Sequence, residues 1–237
     1  MNNSFQFNAI ATIQSPYKEK FGIPRQPGLA KSLNSRIVFL PEYTRPEIVR
    51  GLEGCSHIWV LFIFSECIDK GWTPTVRPPR LGGNKRMGVF STRSPFRPNP
   101  IGLSPVELIS IESGNGKLEL VISGADLLDG TPIVDIKPYL PYSDQIPEAV
   151  FELATEITTL DRDVFYSEQA LQAIARSEEK FNQPVRQQIN ELLNCDPRPA
   201  YKKDDEEKIY GVRLYDMNIR FSISATDIRV LQIEQVD

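Results

Sequence analysis

The sequence predicts a mainly β protein: a closed β-barrel N-terminal domain over residues 1–147 and a smaller α+β C-terminal domain over residues 148–237. Three observations lead there. About seven short stretches rich in β-branched and aromatic residues precede residue 147, with turn signals every 8–15 residues, the spacing of a closed antiparallel or mixed barrel. Apart from one short stretch, RPEIVRGLEG, helical signals are confined to residues 167–194. Three further strand-like pieces close the chain.

The elements follow in order. FQFNAIATI alternates weakly and reads as the first strand; RIVFL, Arg36–Leu40, follows a turn-rich stretch as the second. RPEIVRGLEG predicts one short helix, capped by Thr44 and ending at Gly51 or Gly54. HIWVLFIFS is continuously apolar and suits a strand buried on both faces. RMGVFST and IGLSPVELISIES are two more strands, and Gly114–Gly116 turns the second back into KLELVISGADLL. The Asp129–Gly130 turn opens a last barrel strand in DGTPIVDIKPYLPY. Beyond residue 147, Ser167 caps a helix that runs to Asn182 with Leu171, Ile174, Ala175 and Glu178 on one face. Pro184 sits in the first turn of a second helix that buries Val185, Ile189 and Leu192 or Leu193. IYGVRLY, NIRFSIS and DIRVLQIEQ then read as strands.

Several function classes are excluded. There is no G-x-x-x-x-G-K-[ST] and no G-x-G-x-x-G after a strand, which removes P-loop and Rossmann dinucleotide chemistry. The one histidine, His57, opens the most apolar run and reads as a core or strand-end residue. The cysteines Cys55, Cys67 and Cys195 have no C-x-x-C spacing, so no metal site is expected and the thiols read as reduced and structural. No secretory signal is visible, and the longest strongly apolar run, Ile58–Phe64, is too short to span a bilayer. A cytoplasmic protein with no membrane partner is expected.

The net charge of −4 hides an asymmetry: net +3 over residues 1–147 and net −7 over residues 148–237. From Lys70 to Val106 there are seven basic residues and no Asp or Glu. Such a patch meets a polyanion even on an acidic protein, or it is simply a solvated loop. Within it, FSTRSPFRPNPIGLS holds Arg93 and Arg97 between Pro95, Pro98 and Pro100. Prolines fix φ, remove amide donors and restrict the residues before them, so this is neither helix nor central strand. It is a stiff loop: a preorganised anion grip, or a crossover at a barrel end. A second stiff basic segment, WTPTVRPPRLGGNKR, lies just upstream. In DGTPIVDIKPYLPYSD, Asp135 and Lys137 are two apart on a strand and face the same way, either as an ion pair or as a base with its electrostatic partner.

YKEKFGIPRQPGL, RGLEGCSHIWVLFIF, RPPRLGGNKRMGVFSTRSPFRPNPIGLS and LLDGTPIVDIKPYLPY together resemble the TsaA-like family in its TrmO-type branch, and CDPRPAYKK resembles a segment of the C-terminal part of bacterial members. The resemblance implies a β-barrel that binds S-adenosyl-L-methionine without a Rossmann fold. It implies a homodimer that methylates N6 of threonylcarbamoyladenosine next to the anticodon of tRNA. By the family's pattern the cofactor-binding residues are Pro24, Arg25, Gln26, Ser65, Glu66, Arg93, Leu103 and the turn Asp129, Gly130, Thr131, Pro132. Relatives often carry His where this chain has Ser65, so a backbone contact is expected there. The catalytic candidates are Asp135 as proton acceptor, Lys137 orienting it, and Tyr142 stacking or hydrogen-bonding. Arg77, Arg80, Lys85, Arg86 and Arg97 are candidates for tRNA contacts. Two rival readings stay open: a non-catalytic RNA-binding barrel, and a small-molecule sensor that binds the same cofactor.

Overall fold

The computed structural model describes residues 4–78, 86–152, 159–198 and 208–236. Strands β1 (Ala11–Gln14), β2 (Asn34–Phe39) and β3 (His57–Ile63) come first. A two-stranded ribbon, β4 (Thr75–Val76) and β5 (Met87–Gly88), follows, then β6 (Ile101–Gly114), β7 (Lys117–Ser123) and β8 (Pro132–Pro138). Six of these close into an antiparallel barrel in the order β1-β2-β7-β6-β3-β8. Alternation sends Ile13, Ile37, Ile58, Val60, Leu120 and Ile122 into a core that excludes water. The β6–β7 hairpin turns on Asn115 and Gly116, both with positive φ, the pairing that a tight hairpin demands.

Three expectations for this half need correction. RPEIVRGLEG is not one helix but part of a run of 3-10 turns at Pro41–Tyr43, Pro46–Val49 and Leu52–Gly54. Pro46 holds Arg45 extended, Gly51 adopts φ 94°, and the Thr44 hydroxyl donates to the Pro41 carbonyl rather than capping. β3 is fully buried on one face only: Ile58, Val60 and Phe62 point inward while Trp59, Leu61 and Ile63 are half-buried outside. RMGVFST keeps two residues of strand before a 3-10 turn at Val89–Ser91. His57 is the exposed first residue of β3, with Nδ1 3.0 Å from Ser56 Oγ.

The second half carries β9 (Asp163–Tyr166), a short strand that sequence patterning misses. Helix α1 (Pro141–Asp144) sits on the barrel side, and α2 (Glu168–Phe181) and α3 (Val185–Asn194) precede β10 (Tyr210–Leu214), β11 (Met217–Ile223) and β12 (Asp227–Gln235). The sheet order is β10-β11-β12-β9, with β9 parallel to β12. Ser167 Oγ accepts from the Ala170 amide and caps α2 as expected. Its buried face is Ala170, Ala173, Ile174 and Ser177, so the stripe is turned from the expected one: Leu171 and Ala175 are exposed. In α3, Pro184 is the cap residue, and both Leu192 and Leu193 are buried with Val185 and Ile189.

The two halves are laced together by residues 15–33. Tyr17, Ala30 and Leu33 belong to the core under α2 and α3, not to the barrel core. The Tyr215 amide donates to the Pro16 carbonyl at 2.8 Å and the Arg213 amide to Glu19 Oε1 at 2.8 Å. The same lacing brings the Pro24–Gln26 loop to the barrel rim. No described helix is long and apolar enough to cross a membrane.

Candidate active site at the barrel rim

A cavity of about 650 Å³ opens where β3 ends and β6 begins, a size typical of small-molecule sites. Phe62, Phe64, Leu103, Leu127 and Leu128 supply its apolar wall. Charged groups reach it from four loops: Lys20 with Arg25, Glu66, Arg93 with Arg97, and Asp126. The proline-rich loop is braced internally. The Arg97 amide donates to the Pro95 carbonyl at 3.0 Å, the Ile101 amide to Asn99 at 2.8 Å, and the Phe64 amide to Pro100 at 2.8 Å. The Arg97 guanidinium donates to the Thr92 carbonyl at 3.2 Å and lies 5.9 Å from the Phe90 ring centre. Arg93 Nη1 donates to Gln26 Oε1 at 2.5 Å, which ties this loop to the Pro24–Gln26 loop. Arg25 Nη2 donates to the Arg198 carbonyl at 2.9 Å, so the second half of the chain holds one wall.

The structure brings Pro24, Arg25, Gln26, Ser65, Glu66, Arg93, Leu103 and Thr131 to this one cavity, together with Arg97. Asp129, Gly130 and Pro132 stand behind it. Asp129 accepts from the Ser15 amide at 2.8 Å and pairs with Lys18 at 2.6 Å; Gly130 takes φ 75°, and Pro132 begins β8. That carboxylate shapes the turn that presents Thr131.

Asp135, Lys137 and Tyr142 do not line the cavity. Asp135 and Lys137 form an exposed ion pair at 2.7 Å on β8, and their strand partners are Leu61 and Trp59. Directly opposed side chains share a face, so the pair stands on the outer face beside Trp59, which does line the cavity. Trp59 Nε1 donates to Asp144 Oδ2 at 2.8 Å, and its ring packs 5.5 Å from that of Tyr139. Tyr142, on α1, is 86% exposed. Arg77 and Arg86 are exposed next to the β4–β5 ribbon, away from the cavity wall; Arg80 and Lys85 lie outside the described residues. Among the described residues no three potential metal ligands gather.

Sequence reasoning missed Asp126 and Ser104. Ser104 Oγ donates to Asp126 Oδ1 at 2.7 Å, and both line the cavity. Burial pushes the Asp126 carboxyl above its ordinary value, while the Ser104 hydrogen bond and the nearby charge of Arg93 pull it partly back. A lone carboxylate inside the apolar stretch Ala125–Leu128 was the available signal. Because the folded protein holds this proton more tightly than the unfolded chain, stability falls as pH rises through the raised value. The cost is absent below the ordinary carboxylate value of 3.8 and is complete once pH has passed the raised value. Asp126→Asn, which keeps an acceptor for Ser104, is therefore expected to melt a few degrees above the wild type at neutral pH without ligand. The gap should narrow as pH is lowered; a lower melting temperature for the variant at neutral pH would contradict this account.

Comparison with known proteins agrees with this architecture. A family model described as the tRNA-methyltransferase O N-terminal domain matches residues 12–145, and one for the TrmO C-terminal domain matches residues 160–236. The chain is 46% identical over 233 residues to the tRNA (adenine(37)-N6)-methyltransferase of Escherichia coli K12, covering 98% of this chain and 99% of that one. It is 43% identical over 225 residues to a putative S-adenosylmethionine-dependent methyltransferase, RcsF, of Pseudomonas aeruginosa, covering 94% and 95%. The crystal structure of TrmO from Pseudomonas aeruginosa superposes with a TM-score of 0.81 at 36% identity, covering 98% of this chain and all of that one. On both its halves, in sequence and in fold, the chain belongs to the tRNA-methyltransferase O family.

Proposed function

We propose that this protein transfers a methyl group from S-adenosyl-L-methionine to N6 of adenine 37 in tRNA, and that its substrate adenine carries the threonylcarbamoyl group. The observation that carries the reading is the rim cavity: an apolar wall, three arginines and one half-buried carboxylate brought together on braced loops, in a chain of this family. That donor set fits an adenosyl group joined to a zwitterionic amino acid. The apolar wall takes the nucleoside, and Arg25 and Arg93 take a carboxylate.

Bound there, S-adenosyl-L-methionine supplies a methyl carbon activated by its positive sulfur. The chain's own residues do the rest. Arg25, Gln26 and Arg93 fix the amino-acid end, while Phe62, Phe64 and Leu103 keep water from the reacting side. The acceptor nitrogen is urea-like and poorly nucleophilic while it keeps its proton. Asp135, on the face shared with Trp59, accepts that proton, and Lys137 holds the carboxylate in place. Tyr142 offers an exposed ring for stacking on an unpaired base. Arg77, Arg86 and Arg97, with Arg80 and Lys85 from the neighbouring segment, bind phosphates. The protein works in the cytoplasm, where tRNA is modified, and as a homodimer: Leu140, Tyr142, Ile146, Val150 and Phe151 expose an apolar run that a second copy would cover.

The test is incubation with methyl-labelled S-adenosyl-L-methionine and tRNA with or without the threonylcarbamoyl group, using protein that sediments as a dimer. Label is expected on adenine 37 of the modified tRNA only. Equal labelling of both tRNAs would refute the substrate assignment, and tRNA or donor binding without transfer would return the reading to a binding module or a sensor.

A further inference from the structure

Apart from Lys20 and Glu66, which meet at 3.9 Å, the charges lining the cavity form no ion pairs with one another. Arg25 is engaged by the Arg198 carbonyl, Arg93 by the Gln26 side-chain oxygen, and Arg97 by the Thr92 and Ser94 carbonyls. None of these neutral oxygens cancels a guanidinium charge. Among the described residues no carboxylate lies within ion-pair distance of these three arginines, and no cation lies within that distance of Asp126. Glu66, the other acid on the wall, is largely exposed and 3.9 Å from Lys20. Asp126 is set in the wall with one neutral donor, Ser104 Oγ, at 2.7 Å. A carboxylate desolvated in this way with no cation at ion-pair distance is costly to the fold, and the more distant charge of Arg93 offsets only part of that cost. The missing partner is therefore sought in what fills the cavity.

We infer that the Asp126 carboxylate is the counter-charge for the cationic end of the methyl donor, opposite the arginines that hold its anionic end. The inference rests on the proposed function and adds a recognition residue to it. The donor carries two cations, the α-ammonium and the sulfonium, and one carboxylate. Three arginines alone would repel both cations; one carboxylate among them makes the cavity complementary to the whole zwitterion. Ser104 keeps Asp126 oriented, and its hydroxyl leaves the second carboxylate oxygen available.

The experiment is calorimetric titration of wild type and Asp126→Asn with three ligands. S-adenosylmethionine carries both cations, S-adenosylhomocysteine only the ammonium, and 5′-methylthioadenosine neither. Asp126→Asn should weaken S-adenosylmethionine about thirtyfold or more, the scale for removing one partner of a desolvated charged pair. Methylthioadenosine should change by no more than about twofold. A parallel loss for S-adenosylhomocysteine assigns the carboxylate to the ammonium; an unchanged S-adenosylhomocysteine assigns it to the sulfonium, and either supports the pairing. Unchanged S-adenosylmethionine affinity, or an equal loss for all three ligands, would overturn it. A melting curve for the ligand-free variant separates lost recognition from lost folding. Wild-type protein that transfers methyl groups but fails this contrast leaves the function standing and removes only the role of Asp126. Wild-type protein that binds no donor sinks both.

Discussion

Asp196→Ala is expected to lower the stability of the protein by about 3–5 kcal/mol, the scale of removing one partner from a buried ion pair, and to weaken donor binding as well. Asp196 and Arg198 are 7% and 3% exposed, in the bend that leaves α3. Arg198 Nε meets Asp196 Oδ1 at 2.8 Å and Nη2 meets Oδ2 at 3.4 Å, while Nη1 reaches the Ile223 carbonyl at the end of β11. The desolvated guanidinium would lose the carboxylate that its Nε and Nη2 meet. Part of the loss is conformational, because Asp196 has φ 49°, where alanine is strained by about 1–2 kcal/mol. Asp196→Asn separates the two contributions: it tolerates the left-handed backbone but lacks the charge. The link to the cavity is the Arg198 carbonyl, which accepts from Arg25 Nη2. Displacing that bend frees Arg25 to swing, so donor affinity should fall even in the milder variant. Urea unfolding and donor titration check both parts. An Asp196→Ala protein within about 1 kcal/mol of wild type would show that the pair contributes no net stability.

Much of this fold is written in local patterns, because local chemistry decides it. Short β-branched and aromatic runs between turns marked the barrel strands, Asn115–Gly116 set the hairpin, and Pro95, Pro98 and Pro100 set a braced loop whatever surrounds them. The errors came where a neighbour overrode the pattern. RPEIVRGLEG has a helical look, but Pro46 and Gly51 break it into single turns. In α2 the small side chains Ala170, Ala173 and Ser177 face the sheet, since Gln169 ties the helix closely to β12 through Ile233. A large Leu171 fits only on the outside.

The site was legible to a different degree. Its loops were marked by proline and arginine, and most of the residues that the family resemblance supplied line one cavity, while Asp129, Gly130 and Pro132 stand behind it. What the sequence hides is contact between distant positions. Ser104 and Asp126 are 22 residues apart, Trp59 and Asp144 are 85 apart, and Arg25 and Arg198 are 173 apart. Desolvation of Asp126 is a property of that assembly, so no local pattern could announce it. Asp135 and Lys137 are the opposite case: their strand spacing was readable, yet only the β3–β8 register shows that they stand beside Trp59 instead of in the cavity.

Gly102→Ala is expected to cost about 1–3 kcal/mol through overpacking and to reduce donor affinity by more than that cost implies. Gly102 and Phe62 are cross-strand partners on β6 and β3, and the ring lies over the glycine. An added Cβ would stand 2.2 Å from Phe62 Cζ and 2.3 Å from Cε2, closer than any real contact. The ring has two ways to move. Inward lies the packed barrel core of Ile58, Val60, Val106 and Ile133, with no room for it. Outward lies the cavity, which both Gly102 and Phe62 already line. The displaced ring would therefore stand where the donor belongs, and its edge contact with Phe64, now 5.1 Å between centres, would be lost. Phe62→Leu gives the methyl group room but forfeits aromatic packing. The double variant should then be more stable than the sum of the two single losses predicts, with part of the donor affinity restored. Strictly additive losses, or a Gly102→Ala protein that binds the donor like wild type, would mean that β6 yields instead of the ring and that the cavity wall is softer than its packing indicates.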